Sequence, residues 1–289
     1  MHDYPALEAL AEIIRAGSFD AAAARLGVTP SAISQRIKGL EERLGAVLVH
    51  RGPPATGTQT GLRLMQHLDQ VRLLEQNLDA RIRPTRATAV LRIAVNADSL
   101  ATWFPPAMTE LDVNYDLVID DQDHARDWLR RGEVSAAITS NDQPVAGCDS
   151  TPLGRMRYLA LASPAFIARY FPDGVSPQSL TSAPAVIFNA KDNLQNQWAE
   201  RATGKRLRLS GHLIPASEPF ARVIALGLGW GMIPESMAQN DIAQNRLCPL
   251  IPESALDVPL FWHVTRAMAA PLIPLSRAIS KRAAAELRP

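Results

Sequence analysis

Between Thr29 and Lys38 the chain reads Thr-Pro-Ser-Ala-Ile-Ser-Gln-Arg-Ile-Lys, and its polar members have the chemistry needed to read a nucleic acid. Gln35 can address adenine through a paired donor and acceptor, while Arg36 and Lys38 suit guanine or phosphate. The small hydroxyls of Thr29, Ser31 and Ser34 let a backbone approach phosphate, and a helix N-terminus favours the negative group there. The competing reading is an ordinary amphipathic hairpin whose polar face meets only water.

The elements that must position these side chains surround them. Phe19, Ala22, Ala23 and Leu26 fall at helical spacing and give a first helix one apolar face. Gly27 supplies a backbone that a residue with a side chain would resist. Thr29 and Pro30 read as N-cap and first helical residue. Ile33, Ile37, Leu40 and Leu44 then form an apolar stripe at spacings of four, three and four, and Gly45 ends the helix. Tyr4 to Arg15 reads as a helix packed behind this pair through Leu7, Leu10, Ile13 and Ile14. Val47 to Val49 reads as the first strand of a wing, with residues 52–58 as its tip. Arg51 is a candidate phosphate contact, and Thr58 a second contact that also caps the next helix.

That next helix runs from about Gln59 to Arg83, with Leu64, Leu68, Val71, Leu74 and Leu78 in a near-heptad seam. So long a stripe on a linker has no core of its own. It pairs with the same helix of a second subunit or, alternatively, packs on the C-terminal domain of its own chain. Pro84 to Thr88 reads as a hinge. From Val90 onward, short β-branched runs alternate with helical patterns, the mark of βα units around a parallel or mixed sheet. Strands are expected at 90–95, 116–120, 134–138, 157–162, 184–188, 207–213, 230–233 and 259–264. Helices are expected at 99–111, 123–132, 163–170, 192–201, 217–227, 234–240 and 271–287.

The first sixty residues resemble a LysR-type transcriptional regulator, through Gly17-Ser-Phe-Asp to Leu44-Gly45, His50-Arg51 and Thr58-Gln-Thr-Gly61. The remainder is similar to one branch, the ArgP/LysG regulators of basic amino-acid export. Ala94 to Trp103, Leu129 to Val134 and Gly227 to Pro234 carry that likeness. The branch often has a basic residue in its wing tip, where this chain has Thr56 and Gly57. The resemblance implies an α/β fold class in three parts. Residues 1–58 form a winged helix-turn-helix DNA-binding domain, and 59–88 a long linker helix for dimerisation with its hinge. Residues 89–289 form a two-lobed effector domain like a periplasmic binding protein, lobe one being 89–162 plus 266–289 and lobe two 163–265. It also implies double-stranded operator DNA, RNA polymerase and a second copy of the chain as partners, in a homodimer and further in a tetramer. The controlled gene would be a lysine/arginine exporter.

In open α/β folds ligands collect beyond the carboxyl ends of strands, which points first to Asn96-Ala-Asp-Ser99. Asp98 or Ser99 can simply cap a helix there; with the resemblance, Ser99 and the amides beside it would take an effector's carboxylate. The second place is Asp120-Asp-Gln-Asp-His124, where the wider family tends to have glutamate followed by glycine. The extra carboxylate makes Asp121 the candidate for a lysine ammonium or arginine guanidinium, with Asp123 and His124 in support. A solvated acidic turn is the plain alternative, and strand alternation lets only one of Asp120 and Asp121 face inward. On the opposing lobe Glu218 beside Phe220 could take an α-ammonium; Trp230 there or Trp103 could wall an aliphatic stem, and Thr139, at another strand end, could hydrogen-bond. Large aromatics at such spacing are as readily core.

Composition limits the rest. The chain has 289 residues, 47% hydrophobic and 20% charged, as in ordinary globular domains. Its net charge is +1, and residues 1–88 hold eleven Lys/Arg against nine Asp/Glu, so DNA affinity must come from local placement and doubling in a dimer. Cys148 and Cys248 belong to no metal-spaced or CxxC pattern and read as reduced thiols, a redox switch being the alternative. No signal peptide, membrane span, metal site or cofactor motif stands out, so a cytoplasmic protein is expected. The six histidines are scattered and no nucleophile–base set appears, which argues against an enzyme. The other class to weigh is a cytoplasmic solute-binding protein sensing a different small ligand, which has no use for the N-terminal motif.

Overall fold

The computed structural model describes residues 3–82, 89–119, 125–143 and 145–289. Three helices open the chain, α1 (Tyr4–Ala16), α2 (Phe19–Leu26) and α3 (Pro30–Leu44). Glycines in the left-handed region end all three, at Gly17, Gly27 and Gly45, as the spacing predicts for the last two. Ala22, Ala23, Ile33, Ile37 and Leu40 pack with Leu7, Leu10 and Ile13 into one core. Leu44, expected in that stripe, is exposed at the helix end. The wing is a short antiparallel pair, β1 (Val49–His50) with β2 (Thr56–Gly57). Glu41 of α3 anchors it by accepting the backbone N–H groups of Leu48 and Val49 at 2.8 and 3.4 Å.

The linker helix α4 (Gln59–Ile82) does not carry its apolar stripe as one free seam. Leu68 is 1% exposed and lies with Met65 in the core of the DNA-binding domain, while Leu64 packs partly against that core. An ion pair from Asp69 to Arg15, and a bond from Arg72 to Glu8 at 2.9 Å, tie the same stretch to α1. Further on, Leu73 enters the core of the C-terminal domain. Arg63 donates to the Arg131 carbonyl at 2.9 Å, and Gln76 to that of Asp112 at 2.6 Å. Val71 is half-buried, whereas Leu74 and Leu78, 48% and 60% exposed, face outward. Leu68 is therefore a core residue of its own chain and not part of an open dimer seam, because α1 and α4 have already closed over it.

The C-terminal region builds a first lobe from β3 (Val90–Val95), α5 (Ala97–Ala101), α6 (Pro105–Met108), β4 (Asn114–Ile119), α7 (Ala125–Arg131) and β5 (Ala136–Thr139). β3 pairs in parallel with both β4 and β5. The helix expected over 99–111 is broken in two at Thr102, whose φ of −121° and ψ of −92° lie outside helical geometry, and it restarts with Pro105 in its first turn. β6 (Cys148–Ala162) then crosses to the second lobe, far longer than the expected 157–162. That lobe contains α8 (Pro164–Tyr170), α9 (Pro177–Ser182), β7 (Ala185–Ile187), α10 (Leu194–Thr203), β8 (Gly211–Leu213), α11 (Ser217–Ala225), β9 (Gly231–Pro234), α12 (Glu235–Ala243) and β10 (Cys248–Pro249). β9 and β10 both pair with the far end of β6, and β7 runs parallel to β8.

The chain returns through β11 (Leu256–Thr265), a 3-10 turn at Arg266–Met268 and α13 (Ile273–Glu286). β11 lies antiparallel to β6 over residues 256–265 and to β5 over 261–264. It therefore joins the first lobe's sheet instead of closing the second lobe at residue 265. The two crossing strands make one sheet of β10-β6-β11-β5-β3-β4, with β9 on β6, so both lobes hang from a shared spine.

Candidate functional site

The helix α3 presents a polar face assembled by local rules. Thr29 caps it, its side chain accepting the Ala32 N–H at 3.2 Å. Ser31, Gln35 and Lys38 are exposed, and Ser34 and Arg36 are half-buried on its flanks. Lys38 lies 3.8 Å from Glu42 one turn on. Arg51 is exposed beside this face, its guanidinium 5.4 Å from the Phe19 ring centre and 3.7 Å from Glu41. Thr58 serves the fold itself, donating to the Val47 carbonyl at 2.8 Å and accepting the Gly61 N–H at 3.1 Å to cap α4. The arrangement gives a helix with hydroxyls at its amino end, an amide in the middle and cations at either side.

The second site is a cleft between the lobes. Asn96 contributes from the turn between β3 and α5, Asp98 from α5 and Tyr158 from β6, and Asp192 and Ser217 from the second lobe. Phe188, Leu194, Phe220 and Met232 supply apolar wall. Asp98 is held from both sides: Tyr158 donates its hydroxyl to Oδ2 at 2.9 Å, and Ser217 of α11 donates to Oδ1 at 2.7 Å. Asp192 accepts the Phe188 N–H at 2.9 Å and the Leu194 N–H at 3.0 Å, so its own turn fixes it. Asn96 is buried with its amide oxygen unpartnered, and Ser99 is fully buried with an unpartnered hydroxyl just off the cleft lining. A buried acceptor left without a donor is costly, which makes Asn96 a candidate ligand contact.

Of the residues expected to contact an effector, the structure brings Asn96, Asp98 and Phe220 to this cleft. Asp121, Asp123 and His124 lie outside the described residues. Trp103 is buried against Phe104 and borders a different hollow with Arg157, Glu235 and Arg288. Trp230 is fully buried, 5.3 Å from the Trp198 ring. Neither indole walls the cleft, because both are consumed by core packing. Glu218 is exposed in a separate hollow with Arg222, Asp241 and Arg246, one helical position away from the cleft-facing Ser217. Thr139 is buried and donates to the Asn141 carbonyl at 2.9 Å within its own turn.

Tyr158, Asp192 and Ser217 were not singled out by sequence reasoning. Asp192 carried a usable signal, since it stands in the turn after strand β7 where ligands gather. Tyr158 sits in mid-strand, with nothing local to mark it. Among the described residues no three His, Cys, Asp or Glu converge as a metal site. Cys148 is buried, and that burial, with Asp149 beside it, pushes its thiol above the ordinary value.

Comparison with known proteins matches both parts. Residues 5–62 match the family described as bacterial regulatory helix-turn-helix protein, lysR family, and residues 85–284 match the LysR substrate binding domain. The chain is 44% identical over 281 residues to the HTH-type transcriptional regulator ArgP of Pseudomonas aeruginosa, covering 92% of this chain and 91% of that one. Against the regulator LysG of Mycobacterium tuberculosis the identity is 42% over 271 residues, covering 90% and 87%. The crystal structure of ArgP from Mycobacterium tuberculosis superposes with a TM-score of 0.82 at 39% identity, covering 100% and 99% of the chains. Full-length LysG from Corynebacterium glutamicum with bound effector Arg gives 0.69 at 35% identity, covering 100% of each. From the capped reading helix to the paired lobes, this chain belongs to the LysR family of transcriptional regulators.

Proposed function

We propose that this regulator senses a basic amino acid, lysine or arginine, in the cleft between its lobes and controls transcription of an exporter gene for that amino acid. The observation that carries the reading is Asp98, a carboxylate in an apolar-walled cleft gripped by one hydroxyl from β6 and another from the opposing lobe. An ammonium group entering there replaces or joins neutral donors with a charge-assisted bond, which is about twice as strong. The LysG relative with bound Arg supports the same choice of ligand class.

The DNA end works in a cytoplasmic homodimer. Exposed Leu74 and Leu78 of α4 supply the apolar contact between copies, and two reading helices then stand about 34 Å apart on one face of the duplex. Gln35 addresses base edges, while Ser31, Ser34, Arg36, Lys38 and Arg51 address bases or phosphate. Pairs of dimers form a tetramer, and effector closure changes its pose on DNA and its recruitment of RNA polymerase. A coupling of about 1–3 kcal/mol between the two sites suffices for such control. A thermal-shift screen of the twenty amino acids tests the ligand class directly. Stabilisation by arginine and lysine beyond all neutral amino acids is the expected result, and stabilisation by an acidic or apolar amino acid alone refutes it.

A further inference from the structure

The polar groups lining the cleft are weighted towards acceptors, and they stand on both lobes. Asp98 lies on α5 of the first lobe and Asp192 in the turn between β7 and α10 of the second. Asn96 lines the same cleft at 4% exposure, with an amide oxygen that no donor meets. Each oxygen of Asp192 accepts one backbone N–H, and a carboxylate oxygen can accept more than one hydrogen bond. The neighbours of Asp192 in the cleft are apolar: Phe188 and Leu194 flank it in its own turn.

We propose that the two carboxylates clamp the two cationic groups of a single effector, Asp98 taking the α-ammonium and Asp192 the side-chain ammonium or guanidinium. The proposal rests on the basic amino-acid reading above and adds the residue that sets the charge requirement. Two carboxylates lining one cleft repel each other, and a ligand with one cation neutralises only one of them. A dication neutralises both while its stem covers Phe220 and Met232, so one molecule bridges the lobes. The orientation follows from the neighbours. Beside Asp98, the Asn96 amide offers an acceptor and a donor, as the mixed charges of an α-amino-acid head require. Beside Asp192, Phe188 and Leu194 suit the end of an aliphatic stem. Selection by charge count and closure of the cleft are then the same event.

The test is calorimetric titration of the full-length protein with arginine, citrulline and Nα-acetylarginine. Citrulline keeps the stem and the α-groups but carries a neutral ureido end, and acetylation removes the α-cation. The wild type should prefer arginine to either analogue by about ten- to a hundredfold. Asp192→Asn should bring arginine and citrulline to parity while keeping the preference over Nα-acetylarginine, and Asp98→Asn should do the reverse. Each ratio is measured within one variant, so a general loss of affinity cancels. A wild-type arginine-to-citrulline ratio in Asp192→Asn overturns the proposal, and an exchanged pattern overturns the orientation. Should Asp192→Asn fail to fold, Asp192→Glu keeps the charge and must keep the preference over citrulline; losing it also overturns the proposal. A wild-type protein that binds neither arginine nor lysine instead refutes the ligand reading itself.

Discussion

Replacing Leu68 with alanine separates the two roles that the linker helix could have. The side chain is 1% exposed and packs with Met65 among the residues that α1 contributes to the core. Truncating a leucine so enclosed removes its transfer energy and leaves a cavity, at a cost of about 2–5 kcal/mol. Leu78 on the same helix is 60% exposed, so Leu78→Glu should alter the stability of an isolated subunit by about 0.5 kcal/mol or less. In the proposed dimer its effect is expected to be larger, since burying a leucine contributes about 1.5–3 kcal/mol per copy. Urea unfolding followed by circular dichroism, with mass by light scattering in parallel, reads both quantities. Leu68→Ala should unfold the DNA-binding domain at lower urea while the mass stays dimeric at low denaturant. Leu78→Glu should lower the mass with little change in subunit stability. A Leu68→Ala protein of full stability that had become monomeric would refute the packing argument.

Other expectations follow from the same geometry. Gln35→Ala should lose about 1–3 kcal/mol on the correct operator and blur the preference at one base position, with non-specific binding unchanged in gel shifts; equal operator affinity would remove Gln35 from base readout. Tyr158→Phe deletes the hydroxyl that donates to Asp98 at 2.9 Å and should change arginine affinity several-fold, about 0.5–1.5 kcal/mol, without touching apo DNA binding. An unchanged dissociation constant by calorimetry would place the ligand elsewhere. His263 is fully buried with Nε2 3.2 Å from the Asn141 carbonyl, and burial, aided by the Arg126 charge, holds its pKa below the ordinary 6.5. The unfolded chain therefore binds the extra proton first, and stability should fall as the pH drops below about 6.5. His263→Gln should flatten that part of the pH–stability curve, and a curve identical to wild type would exclude the histidine as its source.

The DNA-reading end was legible because its rules are local. Gly27, Thr29, Pro30 and Gly45 each fix one backbone event within a few residues, and Ile33, Ile37 and Leu40 fix which face turns inward. The linker was harder because its apolar residues meet three surroundings: Leu68 of the expected stripe lies in one core, Leu73, outside that stripe, in another, and Leu78 in the open. Periodicity reports that a face is apolar and is silent on what covers it. The expected strand at 157–162 falls short of β6 because Asp149, Ser150, Pro152 and Gly154 are weak strand formers; pairing with β11 carries the strand through them, with an irregular register where Gly154 takes φ +122°.

The cleft was legible in part for the same reason. Asn96 and Asp98 follow a strand end directly, and the rule that ligands gather there identifies them. Ser217 reaches Asp98 across 119 residues of sequence, a meeting that only the tertiary fold creates. The tryptophans misled in the opposite direction: Trp103 and Trp230 have the size of a ligand wall, yet the interior needed them more.

The central claim is that occupation of the lobed cleft by a basic amino acid changes how the reading helices hold DNA. Footprinting of the full-length protein on a duplex from upstream of its own gene, with and without arginine or lysine and with citrulline as control, tests it most directly. The account predicts a protected region whose extent or affinity changes with either basic amino acid and not with citrulline. No protection under any condition, or protection identical in all of them, would contradict it.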